Sequence, residues 1–216
     1  MNRQRLLLEY FHAMLSELGP SQWWPGETPF EVALGAILTQ NTAWSNVEKA
    51  MHNLRCRGLL DALALHDLPD AELAELIRPA GAFRVKAVRV RNFLRFLHET
   101  CALELERLGQ GDMRDVRSAL LRVSGIGPET ADSILLYALG HPSFVVDAYT
   151  RRILNRHSLV PEDIGYEELR EFFMDALPPD PRLFNEFHAL IVRTGKGWCA
   201  KKAGKCPPCP LNRLLE

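Results

Sequence analysis

Residues 121–154 read LRVSGIGPETADSILLYALGHPSFVVDAYTRRIL. Two helix-like runs meet at Ser124-Gly125-Ile126-Gly127, and the second is followed by Val145-Val146-Asp147. Val116, Leu120 and Leu121 form the apolar end of the first run, and Ala131, Ile134, Leu135 and Ala138 give the second its helical stripe. Two glycines permit positive φ and close backbone approach. Pro128 suits the first position of a helix, and Glu129 suits its electropositive end. Ile126 is placed to plug the gap between the helices. Exposed amides at such a turn would attract an anion, although an ordinary αα-hairpin carries the same signals. Asp147 precedes Ala148-Tyr149-Thr150-Arg151 and is first of all an N-cap.

Helical periodicity extends outward from this stretch. Phe30, Ala33, Leu34, Ile37 and Leu38 form one stripe, and Val47, Ala50, Met51 and Leu54 another. Val90, Leu94, Leu97 and Cys101 repeat the pattern, as do Leu169, Phe172, Phe173 and Ala176, and then Phe184, Phe187, His188 and Ile191. Alternation of period two is absent. The fold is therefore read as all-α, with about ten helices joined by short loops. The chain has 216 residues, enough for one large domain or two small lobes.

Charge is nearly balanced, with 26 basic and 27 acidic residues, so bulk electrostatics do not announce a polyanionic partner. Three local basic clusters stand out: Arg84, Lys86, Arg89, Arg91 and Arg95; Arg151, Arg152 and Arg156; and Lys196, Lys201, Lys202 and Lys205. Each reads first as a solvated helix face. No apolar run approaches the roughly 20 residues that span a bilayer. The N-terminal segment reads as an amphipathic helix with Leu7, Phe11, Leu15 and Leu18 on one face, not as a secretory leader. A cytoplasmic location is expected. Cys56 and Cys101 sit at helical positions as small core hydrophobes. Cys199, Cys206 and Cys209 cluster, and in a reducing compartment such a cluster favours metal over disulfide.

The hairpin, the Val-Val-Asp that follows it and the Arg-rich helix beyond together resemble the helix-hairpin-helix signature of the endonuclease III superfamily of DNA glycosylases. The resemblance continues in Ile37-Leu38-Thr39-Gln40-Asn41-Thr42, in Ile77–Ala87 and in the cysteine tail, so it covers nearly the whole chain. It implies two helical lobes with a substrate groove between them. Residues 25–134 would form a six-helix lobe carrying most of the hairpin, and residues 1–24 plus 135–216 the second lobe. It further implies a monomer acting on double-stranded DNA that contains a damaged base.

The resemblance also assigns roles. Asp147 would be the catalytic group, its carboxylate stabilising the cationic sugar that forms as the N-glycosidic bond breaks. Bifunctional members carry a lysine where this chain has Glu129, and a carboxylate cannot form a Schiff base. A monofunctional, water-using glycosylase is therefore expected, without lyase activity. Trp23-Trp24-Pro25, with Trp44, resembles the 3-methyladenine DNA glycosylase branch, in which aromatic faces bind a flipped alkylated purine by stacking and cation–π attraction. Gln40 and Asn41 would enter the duplex, while Lys86 and the hairpin residues Gly125, Ile126, Gly127 and Glu129 would meet its backbone. Within the superfamily, oxidised or mispaired bases are alternative substrates. A noncatalytic helix-hairpin-helix DNA-binding protein is the reading from another class.

Cys199-x6-Cys206-x2-Cys209 is similar to the start of the superfamily's four-cysteine iron–sulfur loop, but position 215, where the fourth thiolate would fall, is Leu. A 4Fe–4S cluster with one iron lacking a thiolate, a zinc ion, or an empty remnant are the three readings.

Overall fold

The computed structural model describes residues 2–21 and 23–215; Gln22, which precedes the tryptophan pair, lies outside them. Twelve α-helical segments and no β-ladder longer than the isolated Cys199–Gly204 bridge occur among the described residues, so the fold is all-α. Among the described residues no helix is long and apolar enough to cross a membrane. The chain forms two compact units. One comprises Pro25–His141, and the other Met1–Trp24 with Pro142–Glu216.

In the Pro25–His141 unit the helices are α2 (Pro29–Leu38), α3 (Trp44–Cys56), α4 (Ala62–Asp67), α5 (Asp70–Leu76), α6 (Phe83–Cys101), α7 (Leu105–Leu108), α8 (Met113–Leu121) and α9 (Pro128–Ser133), which a π-turn segment, Ile134–Ala138, prolongs. Thr28 caps α2 by accepting from the Glu31 N–H. Apart from Glu31, which pairs with Arg55 at 2.8 Å, the helix is apolar all round and is buried from Phe30 through Leu38, the mark of a helix enclosed by others. Ile134 and Leu135 join Ala33, Leu34, Ile37 and Leu38 in one core. The unit boundary therefore falls after 141 and not after 134: the prolonged hairpin helix packs on α2 and stays with it.

The other unit contains α1 (Arg3–Leu18), α10 (Ala148–Arg156), α11 (Tyr166–Met174) and α12 (Pro181–Gly197). Its centre is aromatic. Phe144 stacks on Phe173 at 4.0 Å and meets Phe184 and Phe187 edge to face. The face of α1 turned inward is Leu7, Tyr10, Phe11 and Met14. Cys101 is buried as expected of a small hydrophobe, whereas Cys56, at the C-terminal end of α3, is exposed.

Candidate active site

The hairpin is fixed by an ion pair and by side-chain clasps on its turn. Arg117 of α8 donates through Nε and Nη2 to the two carboxylate oxygens of the fully buried Asp132 on α9, at 2.8 and 3.0 Å. Such a bidentate pair sets orientation as well as distance. Ile126 is buried in the core between the helices. Gly125 has φ of 98°, and a Cβ there would lie 2.3 Å from Cγ of Arg89, so both conformation and space require glycine.

The turn's carbonyls are occupied from within. Val123 O accepts from the Ile126 N–H, Ser124 O from Asn92 Nδ2 and Gly125 O from Gln40 Nε2 at 3.0 Å. These acceptors are satisfied within the fold, and Gly127 is exposed at the start of α9.

Gln40 was expected to reach outward. Instead its Nε2 also donates to Thr130 Oγ1 at 2.9 Å, and its Oε1 accepts from Arg89 Nη1. It ties the end of α2 to the hairpin. Asn41, next in sequence, is exposed with φ of 53°.

Lys86 is a correction. A phosphate contact was expected, but the side chain is 2% exposed, and Nζ donates to Leu38 O at 2.8 Å and Ala80 O at 2.7 Å. It satisfies carbonyls left over at the ends of α2 and of the short turn 78–80. Burial, and then the Arg89 charge, pull its pKa below the usual lysine value. The periodicity carried this signal: Lys86 lies four residues before Val90 on the buried face of α6.

Asp147 caps α10 in a reciprocal capping box with Thr150. Its Oδ1 accepts from Thr150 N–H at 2.8 Å and from the Thr150 hydroxyl at 2.9 Å. The approach to it is buried, with Phe144, Val145 and Val146 almost fully enclosed and Ser143 Oγ accepting from Arg170. Those anchors explain the Val-Val before the aspartate: they fix where the carboxylate stands. The second oxygen, Oδ2, lies 3.8 Å from Nε2 of His188 on α12. Burial by itself would raise the Asp147 pKa. His188 and the Thr150 donors outweigh it and hold the carboxyl below its usual range.

His188 sits in the apolar stripe of Phe184, Phe187 and Ile191, where no local pattern marks it as a functional residue. The same helix steadies the stem of the tryptophan loop, where the Glu186 carboxylate accepts from Ser21 N–H at 2.9 Å and Arg193 Nη1 donates to Gly19 O at 2.7 Å. Trp23 and Trp24 are half-buried, their rings 5.3 Å apart and 80° from parallel. A flat ring cannot be sandwiched between these two. Each can offer only one wall. The Trp23 indole N–H has no hydrogen-bond partner among the described residues. Pro25 is exposed, and Trp44 opens α3 with its indole N–H donating to Glu48 at 3.0 Å. Glu129 is exposed on the first turn of α9.

The cysteine tail docks onto α10. Arg152 Nε donates to Cys199 O at 2.7 Å, while Arg156 donates to Cys199 Sγ, Ala200 O and Lys201 O. Leu211 is buried in the unit's core. No group of three His, Cys, Asp or Glu among the described residues is arranged to hold a metal ion. Cys199, Cys206 and Cys209 stand near one another, and position 215, where the resemblance would place a fourth thiolate, is Leu. One thiol is engaged by a guanidinium, and burial pushes the Cys209 thiol up, toward its neutral form.

Comparison with known proteins accords with this architecture. Residues 34–179 match the family described as HhH-GPD superfamily base excision DNA repair protein. A Methanocaldococcus jannaschii protein provisionally named a DNA repair glycosylase is 43% identical over 99% of this chain and 97% of its own. Endonuclease III of Thermotoga maritima is 29% identical over 87% of this chain and 83% of its own. Among solved structures, 3-methyladenine DNA glycosylase of H. pylori bound to 1,N6-ethenoadenine has a TM-score of 0.78 and 28% identity, covering 91% of this chain and 98% of that one. A hairpin turning at Gly125-Ile126-Gly127, a capped carboxylate after it and relatives of this kind lead to one assignment: the chain belongs to the HhH-GPD superfamily of base excision DNA repair proteins.

Proposed function

We propose that the chain is a monofunctional DNA glycosylase that hydrolyses the N-glycosidic bond of a flipped, alkylated purine such as 3-methyladenine. One observation carries the reading: Asp147 is a buried carboxylate, fixed by its own cap and held ionised. Positive charge grows on the sugar as the bond breaks, and a preorganised anion stabilises it without having to reorient. An N-alkylated purine is already cationic and a good leaving group, so the base needs little proton donation. Indole faces at Trp23, Trp24 and Trp44 suit a cationic ring. The similarity to a 3-methyladenine DNA glycosylase supports this substrate class.

The hairpin amides around Gly125 and Gly127 would hold a backbone phosphate of double-stranded DNA, with Asn41 exposed beside the tethered Gln40. The protein would act as a monomer. Glu129 occupies the position where a lyase needs an amine, so water and not a lysine is the nucleophile.

The test is a panel of duplexes, each with one lesion, assayed with and without alkali. Alkylated purines should be released to give abasic strands that break only on alkali treatment, and borohydride should trap no protein–DNA adduct. Asp147→Asn should abolish release while lesion-duplex affinity stays within about tenfold, roughly 1.4 kcal/mol. The similarity to endonuclease III favours a second substrate class, oxidised pyrimidines. Their release, with alkylated purines untouched, would replace the first reading. A trapped adduct would overturn the assignment of Glu129.

A further inference from the structure

We propose that His188 is a positioning residue for Asp147, its Nε2 holding Oδ2 in the orientation that the excision step requires. The proposal rests on the reading of Asp147 as the catalytic group.

The two carboxylate oxygens are not equivalent. Oδ1 is committed to the helix cap, where it takes both donors of Thr150. Oδ2 is left for chemistry, and the polar atom beside it is His188 Nε2 at 3.8 Å, with the two side chains 7% and 13% exposed. That separation exceeds a hydrogen bond, yet the two groups face each other where water is scarce, so an N–H dipole on Nε2 is felt at Oδ2. Attraction requires the proton on Nε2.

Packing alone does not account for an imidazole here. Phe184, Phe187 and Ile191 on the same face of α12 are buried hydrophobes, so the imidazole is a polar group set among apolar neighbours and facing Oδ2. The helices also meet where a glycine leaves no side chain between them. Seven residues along α12, hence on the same face, Gly195 lies under the ring of Tyr149, the second residue of α10. That approach brings His188 up to the cap of α10.

A cap fixes one oxygen but leaves the carboxylate free to turn about it. A second contact at Oδ2 removes that freedom. Misplacing a reacting group by about 1 Å can cost on the order of a hundredfold in rate.

The experiment uses the full chain with His188→Leu and His188→Gln. Gln keeps an N–H donor near the place of Nε2 without its charge. Single-turnover excision is measured on the panel duplex that the wild type cuts fastest. The Asp147 carboxyl is titrated in parallel by 13C NMR. The expected result is a rate at least about tenfold lower in His188→Leu with Kd unchanged within about twofold, and most of the rate restored in His188→Gln. The Asp147 titration midpoint should rise in His188→Leu. Equal losses in Leu and Gln would mean packing and overturn the proposal, as would an unmoved midpoint. If His188→Leu does not fold, His188→Phe takes its place. If the wild type releases no base from any duplex, the functional reading fails, and the titration still decides whether His188 acts on Asp147.

Discussion

Tyr149 rests on the bare backbone of Gly195. A Cβ at 195 would lie 2.3 Å from Cδ1 of the ring and 2.8 Å from its Cβ and Cγ. No L side chain fits there unless α10 and α12 separate. Since Asp147 caps one helix and His188 lies on the other, their spacing is set at this crossing. Gly195→Ala should destabilise the fold by about 1–3 kcal/mol, the usual cost of overpacking. It should also slow excision without weakening duplex binding. Chemical denaturation and single-turnover rates check both parts, and an alanine variant of wild-type stability would show that the crossing has slack.

The ionisation of Asp147 gives a pH dependence with a definite sign. Its folded pKa is depressed, so the unfolded chain binds the proton more tightly. The stability it contributes is complete above the unfolded carboxylate value of about 3.9 and is lost as pH falls through the lower folded value. The stability difference between wild type and Asp147→Asn should therefore decline as pH falls below about 4. Asn remains a competent N-cap, so the variant should fold. Denaturant midpoints measured across the acid range test this. A difference that does not decline below about pH 4 would contradict the depressed value.

Lys86 separates structural from DNA-binding basic residues. Lys86→Ala removes the buried stem and orphans the carbonyls of Leu38 and Ala80, at a cost of about 3 kcal/mol or more. Duplex affinity should keep its salt dependence, because each lost phosphate contact would reduce the log–log slope by about 0.9 and this lysine makes none. A reduced slope in a folded Lys86→Ala protein would return the residue to the DNA interface.

Arg156 is the clasp of the cysteine tail, with three acceptors between Cys199 and Lys201. Arg156→Ala should open this loop locally, and trypsin should cut at the exposed Lys201, Lys202 or Lys205 about tenfold faster, as a local loss of about 1.4 kcal/mol implies. Unchanged cleavage would show that Leu211 anchors the tail without the arginine. Metal analysis of freshly purified protein is the companion measurement, and stoichiometric iron or zinc would show that the three thiolates gather in solution.

The sequence by itself determined what depends on neighbours along the chain. Helix periodicity placed the elements. Pro128 and the paired glycines marked the hairpin. Asp147 before Ala148 announced a cap, because capping is satisfied within a few residues. The tertiary structure decided which polar side chains lie inside. Lys86 and His188 both sit in register with apolar stripes, at Val90 and at Phe184, Phe187 and Ile191, and that register was visible. What no local pattern carries is the partner: the two carbonyls that receive the Lys86 ammonium, the hairpin oxygen that captures Gln40, the carboxylate that His188 approaches. A buried polar group persists only where the fold supplies its counterpart, and those counterparts come from chain segments brought together by packing.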